Sequence, residues 1–305
     1  MLAAAAGFAG LTLVDTTEEP GYAEAAPQFT VKVGVELINV LFSVTDRRGR
    51  FIPGLAPKDF AVEEEGRRQN ILHFSPENEL PLTLGLLIDT SPSVRPVFDE
   101  EKETAVSFLE AIMKPRDLAM VIGFDRSVTL MQDYTDDLRS LKSAIHDLEI
   151  GGGTSMYDAI YLAAEEKLEQ ETGRKAIILI SDGEDTTSKT KFFEALIAAH
   201  QSDAVIYTIS NRGRKFFRGV GDPGTLKKFS EETGGRLFYV ENKSDFTEVF
   251  AQIARELRSQ YSLAYVSTNS ARDGKFRRIK IIPRESSHNV RSRLGYYAAN
   301  APANP

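Results

Sequence analysis

From Leu82 onward, short apolar runs alternate with amphipathic stretches, and that alternation admits few architectures. The runs fall at 82–89, 117–124, 127–131, 175–181, 204–209 and 236–240. Leu82-Thr83-Leu84-Gly85-Leu86-Leu87-Ile88 and Ile177-Ile178-Leu179-Ile180 are nearly continuous in apolar character, the pattern of strands covered on both faces, as in parallel sheets. Helical periodicity fills the intervals at about 97–113, 136–147, 155–169, 189–200, 222–233 and 244–258. Strand and helix in turn predict a doubly wound α/β sheet with helices on both faces. Pro115 ends the first helix and Gly173 breaks the third. The hairpin-like Phe124-Asp125-Arg126-Ser127-Val128 makes the third strand an antiparallel edge.

The flanks follow a different period. Gln28 to Phe74 alternates apolar and polar residues, with turns at Asp46 to Arg50 and at Glu65-Gly66-Arg67, and Tyr261 to Tyr297 does the same. Both segments predict short β-strands, and Asp273-Gly274 predicts a hairpin turn between Tyr261–Val266 and Arg277–Pro283. Each flank is too short and one-sided for a core of its own. The expectation is therefore one β-sandwich-like domain from 28–78 and 259–299, with the α/β domain at 79–258 inserted between its halves.

Asp89-Thr90-Ser91-Pro92-Ser93 follows the first apolar run. A carboxylate and two hydroxyls at alternate positions leave the carboxyl end of a strand, where open α/β sheets bind ligands. Oxygens of this kind suit Mg²⁺, Mn²⁺ or Ca²⁺. Gly151-Gly152-Gly153-Thr154 delivers a further hydroxyl ahead of a helix, and Ser181-Asp182-Gly183 ends another buried strand in an acidic turn. Together the three segments resemble the metal-ion-dependent adhesion site of the von Willebrand factor A domain family, over roughly residues 82 to 257. The resemblance implies a metal site of Asp89, Ser91, Ser93, Thr154 and Asp182, with the hydroxyls bound directly and at least one carboxylate acting through water. A metal so held keeps excess positive charge and an open position. What it would then recognise is an Asp or Glu carboxylate on a partner protein or peptide. Both flanks resemble those of secreted bacterial proteins related to this family.

The rest of the sequence narrows the function further. The net charge of -7 argues against a general nucleic-acid binder, and with no cysteine there is no disulfide, thiolate metal site or lipid-modified Cys. Met1 to Val14 is apolar but too short to span a bilayer, and Ala23-Glu24-Ala25 fits a cleavage site. Residues 1–27 thus read as an export signal or an Ala-rich disordered tail, and 300–305 as a disordered tail. The expected location is extracytoplasmic, with no transmembrane segment in the mature chain.

Four histidines lie far apart without metal-ligand spacing, and Ser188-Lys189-Thr190-Lys191 lacks the companions of a serine acylase. Ser188 reads as a helix N-cap, Asp158 as the capping-box partner of Ser155, and Glu184 and Asp185 as rim residues. The basic, aromatic stretch Arg212 to Arg218 reads as a solvated loop or as a rim that steers an acidic partner. The leading expectation is a non-catalytic, metal-dependent protein-binding module. Two alternatives stand beside it. One is a Mg²⁺-dependent phosphoryl-transfer enzyme with Asp89 as nucleophile, which wants a second carboxylate where Ser91 stands. The other is a scaffold whose site stays empty.

Overall fold

Alternation along the first strand settles how the flanks fold. β1 (Leu37–Thr45) buries Ile38, Val40, Phe42 and Val44 on one face. The structure, a computed structural model, describes residues 37–76, 80–210 and 221–300; the expected signal-like segment 1–27 and residues 301–305 of the tail lie outside them. After β1 come β2 (Phe60–Glu64), β3 (Arg67–Gln69) and β4 (Ile71–Pro76). β2 and β3 meet in a two-residue turn in which Glu65 and Gly66 have φ of 47° and 75°. Positive φ at both central positions is the type I′ geometry that matches strand twist.

The central sheet begins with β5 (Leu82–Asp89), all of whose residues are buried. α1 (Phe98–Ile112), β6 (Leu118–Phe124), β7 (Val128–Thr135) and α2 (Leu138–His146) follow. α3 (Met156–Tyr161) then runs into wider π turns over Leu162–Leu168. β8 (Arg174–Ile180), α4 (Phe192–Gln201), β9 (Val205–Ser210), α5 (Pro223–Thr233), β10 (Leu237–Tyr239) and α6 (Lys243–Leu257) complete this part. The strand order is β10-β9-β8-β5-β6-β7, with only β7 antiparallel. The chain thus builds one half of the sheet outward from β5, then returns to build the other. β5 and β8 flank the switch point.

Each face of the central sheet carries its own core. α1, α2 and α6 cover one, where Phe108 and Phe250 stack with ring centroids 4.5 Å apart. α3, α4 and α5 cover the other, around Phe124, Ile177 and Phe229. Side chains alternate across a strand, so Leu84, Leu86 and Ile88 enter the first core while Leu87 enters the second.

The last strands return to the flank: β11 (Tyr261–Val266), β12 (Phe276–Pro283), β13 (Asn289–Ser292) and β14 (Gly295–Tyr297). They complete two antiparallel sheets, ordered β13-β1-β11-β4 and β14-β12-β2-β3. The sheets close on one shared core of Ile38, Val40, Phe42, Val62, Leu263, Tyr265, Ile279 and Ile281 among others. Asp273-Gly274 does not close the expected hairpin. β11 already has β1 on one edge and β4 on the other, so it leaves no edge for β12, which pairs with β2 and β14 instead. Residues 267–275 carry the chain from one sheet to the other, and Gly274 supplies a left-handed turn at φ 66° on the way.

Two buried carboxylates fix this arrangement. Glu64 accepts hydrogen bonds from Tyr265 (3.0 Å), Tyr296 (3.0 Å) and Ser267 (2.6 Å) inside the sandwich. Glu256, on α6, accepts from Arg291 of β13 at 2.7 and 2.9 Å and from Ser43 of β1 at 3.3 Å. It thereby joins a helix of the central sheet to two sandwich strands. Both carboxylates are ionic groups under 3% exposed, a placement that is tolerable only with partners of this quality.

His200, near the end of α4, is 3% exposed and meets the rings of Phe276 and Tyr297 edge-on at 5.2 and 5.8 Å. Burial first, and then the Arg293 charge, pull it down to about 4. The unfolded chain takes up this proton near the ordinary value of about 6.5. Stability is therefore present in full above pH 6.5 and is lost as pH falls towards 4. His200 alone accounts for a loss of about 3 kcal/mol across that window. Urea unfolding at pH 7.5 and pH 4 should show this loss, and a His200→Asn variant should lack that share of it.

Candidate metal centre

The switch point puts the two acidic strand ends side by side. β5 and β8 are parallel neighbours through Ile88 and Ile180, so Asp89 and Ser181 leave the sheet together, with Asp182 next. Crevices outside the carboxyl ends at such a point are where open α/β sheets hold ligands. Asp89 and Asp182 have no solvent exposure, Ser91 has 2% and Thr154 5%, and Ser93 is half-buried.

Hydrogen bonds tie four of the five expected residues into one chain. Asp89 Oδ1 accepts from the Ser91 amide at 2.8 Å. The hydroxyls of Ser91 and Ser93 lie 2.9 Å apart, and Ser93 Oγ donates to Asp182 Oδ2 at 2.9 Å. Thr154 joins through its backbone. Its carbonyl accepts from the Thr186 and Thr187 amides at 2.8 and 3.0 Å, and its amide donates to Thr186 Oγ1 at 2.9 Å. Upstream on the same loop, the Gly151 amide donates to the Thr90 carbonyl at 2.9 Å. The glycine-rich loop is thereby stitched to the Asp89 loop on one side and the Asp182 loop on the other.

Ser181 is the residue that sequence reasoning passed over. Its hydroxyl donates to Asp89 Oδ2 at 2.6 Å and accepts from the Gly183 amide at 3.0 Å, which orients the carboxylate from the neighbouring strand. The signal lay in its place, directly after the strand that pairs with β5 and one residue before Asp182. Asp89 is held up at about 6. Burial is the main cause and Asp182 adds to it, while the bonds from Ser181 and Ser91 oppose it. Two carboxylates close together in a buried place call for a counter-charge.

The outer residues have structural work. Asp158 does not close a capping box with Ser155, whose amide donates instead to the Asp125 carbonyl at 2.6 Å. The Asp158 carboxylate accepts from the Lys189 and Thr190 amides at 3.0 and 2.8 Å. Ser188 is not the N-cap of α4, a position that Lys191 holds. Its hydroxyl donates to Asp185 at 2.6 Å, and Asp185 also accepts from the Tyr157 amide at 2.9 Å. The Arg212 to Arg218 stretch lies outside the described residues.

Donor chemistry suits a hard divalent cation. The groups that the five residues offer are two carboxylates and three hydroxyls, all oxygen, and those of Asp89, Ser91, Ser93 and Asp182 converge. Among the described residues there is no cluster of three or more His, Cys, Asp or Glu side chains that could hold a metal by those groups alone, so a metal here depends on the hydroxyls.

Residues 84–184 match the family model of the von Willebrand factor type A domain. The central sheet has the Rossmann-like fold of that domain. A solved von Willebrand factor type A structure from Catenulispora acidiphila aligns with a TM-score of 0.51 at 13% identity, covering 80% of this chain and 74% of that one. Proximal thread matrix protein 1 from the mussel byssus aligns with a TM-score of 0.52 at 15% identity, covering 64% of this chain and 51% of that one. A further structure of the mussel protein, with a zinc-occupied metal-ion-dependent adhesion site motif, aligns with a TM-score of 0.52 at 16% identity, covering 65% and 50%. At these identities the likeness is one of fold. The chain spans about half the length of the mussel protein it matches. No curated protein matches it.

Gly183 shows how tightly the acidic turn is built. Its φ is 86°, and a Cβ there would stand 2.3 Å from the Asp222 carbonyl oxygen. Gly183→Ala should cost more than about 1 kcal/mol, since both the backbone conformation and the space exclude a methyl. The midpoint of urea unfolding measures it.

Proposed function

We propose that the chain is a non-catalytic protein-binding module that holds Mg²⁺, Mn²⁺ or Ca²⁺ with Asp89, Ser91, Ser93, Thr154 and Asp182, and through it binds an Asp or Glu carboxylate of a partner. The observation that carries the reading is the hydrogen-bonded run from Asp89 through Ser91 and Ser93 to Asp182 at the switch point. Its hydroxyls are already turned toward one another. A cation entering among them meets oxygen donors and relieves the buried pair of carboxylates. Two carboxylates spread over a site rich in neutral hydroxyls leave the ion attractive to one more anionic oxygen. Ser91 stands where a phosphoryl-transfer site would want its second carboxylate, which favours binding over chemistry.

Support from the comparisons is of two kinds: the family match across 84–184, and a fold relative whose corresponding motif holds zinc. Within this reading the binding unit is 79–258, and the sandwich of 28–78 with 259–299 presents it. Its setting is extracytoplasmic. Among the described residues no helix is long and apolar enough to cross a membrane.

Calorimetry tests the metal. Asp89→Ala and Asp182→Ala should each abolish measurable Mg²⁺ binding with the fold intact, because both residues lie at strand ends rather than in the cores. Ser181→Ala should weaken binding by roughly tenfold, the usual cost of removing a group that orients a ligand carboxylate. Unchanged affinity in both aspartate variants would end the metal reading.

The partner is tested by capture from the native extracytoplasmic fraction, with and without chelator. Binding should be lost with chelator and with Ser91→Ala. Capture that survives both treatments would show that the metal is not the recognition element.

A further inference from the structure

At the opposite end of the central sheet, five arginines surround one cavity. It measures about 530 Å³ and opens between the turn after β1, the last turns of α6, β13 and the residue ahead of β10. Arg48 and Arg50 come from the turn, Arg255 from α6, Arg291 from β13, and Arg236 precedes β10. Asp89 and Asp182 mark the carboxyl ends of the parallel strands, whereas Arg236 marks the amino end. The cavity is therefore remote from the candidate metal centre.

Two carboxylates serve these five cations. Glu256 takes a fork from Arg291 at 2.7 and 2.9 Å and lies 3.8 Å from Arg236 Nε. Asp46 pairs with Arg50 at 2.8 Å. Arg236 donates Nη2 to Gln252 at 2.9 Å and lies over the Phe238 ring at 4.4 Å, but its Nε is buried with no hydrogen-bond acceptor. Among the described residues neither the Arg48 nor the Arg255 side chain has an ion-pair or hydrogen-bond partner. Neutralising Glu256 explains Arg236 and Arg291. With Arg50 matched by Asp46, it does not explain why two more guanidinium groups share their cavity, since like charges brought together around a partly enclosed space repel.

We propose that this cavity binds a multiply charged oxyanion, a phosphate or sulfate group carried on a small molecule. Guanidinium forks match such groups in shape as well as charge. The volume lies in the range of small-molecule sites and exceeds what a lone inorganic ion would fill. Arg236 and Arg291 form the floor, oriented in advance by Glu256, Gln252 and Phe238. Arg48 and Arg255 form the exposed rim that would complete the contacts to the anion. The ligand would bridge the turn after β1, β13 and α6, and so reinforce the junction between sandwich and central sheet.

The test is calorimetry on the full chain in chelator, which removes any contribution of a metal site. Inorganic pyrophosphate and a sulfated disaccharide are the two probes, and they separate a phosphate preference from a sulfate one. Saturable binding of at least one probe is expected, weakened roughly tenfold or more in the Arg48→Ser, Arg255→Ser double variant through loss of two charge-assisted contacts. Both substitutions are at exposed side chains, so an unchanged melting temperature without ligand should accompany the loss. The proposal is overturned if neither probe binds saturably, or if the double variant binds as tightly as the original chain.

Discussion

The complete burial of β5 is the constraint on which the rest of the structure depends. A strand with partners on both edges and helices over both faces has nowhere to place a polar side chain except at its ends. Thr83, near one end, is the only polar residue before Asp89 at the other. Because β5 is also where the chain reverses its direction of building, its carboxyl end has β6, the next in sequence, on one edge and β8, a strand from much later in the chain, on the other. The same condition that fills the core with Leu and Ile thus delivers Asp89 against Ser181 and Asp182, residues about ninety positions away.

Much of this was legible in the residues. The six central strands were readable because each is a dense apolar run, and their observed limits fall within a few residues of those expected, β7 apart, which runs on to Thr135. The family resemblance pointed to five residues, and four of them are joined side chain by side chain or through the Asp89–Ser91 turn. Ser181 escaped because a lone serine carries no pattern; it acquires a role only through the register of β5 with β8. The failed hairpin at Asp273-Gly274 has a similar cause. Turn chemistry reports that the chain bends there, but which edges remain open is a property of the whole sheet. Asp158 and Ser188 show the limit of capping rules, since Asp158 is claimed instead by amides of the loop before α4 and Ser188 by Asp185 within that loop.

Buried carboxylates hold the sandwich together and set its junction with the central sheet. Glu64 does the first and Glu256 the second; each is almost fully buried, and each is satisfied by groups from several strands. Such groups add little net stability compared with an apolar core, but loss of a partner is costly, of the order of 3–5 kcal/mol. They therefore penalise misplaced packing more than they reward correct packing. His200 adds a pH-dependent element to the same boundary, where its ring is wedged against Phe276 and Tyr297.

The pairing of β1 with β13 has a mechanical consequence. Phe42 to Thr45 lie alongside Ser292 to Asn289, and β14 follows β13 after only Arg293 and Leu294. Tension drawn between Leu37 and Tyr297 would pass from β1 across this ladder to β13 and on to β14, without entering the central sheet. Because the two strands are antiparallel, Phe42 and Ser292 stand at the same end of the ladder, and load applied there opens its pairs one after another. The sandwich would act as a clasp that yields first in the line of force, and the loops around Asp89 would keep their geometry while it opens.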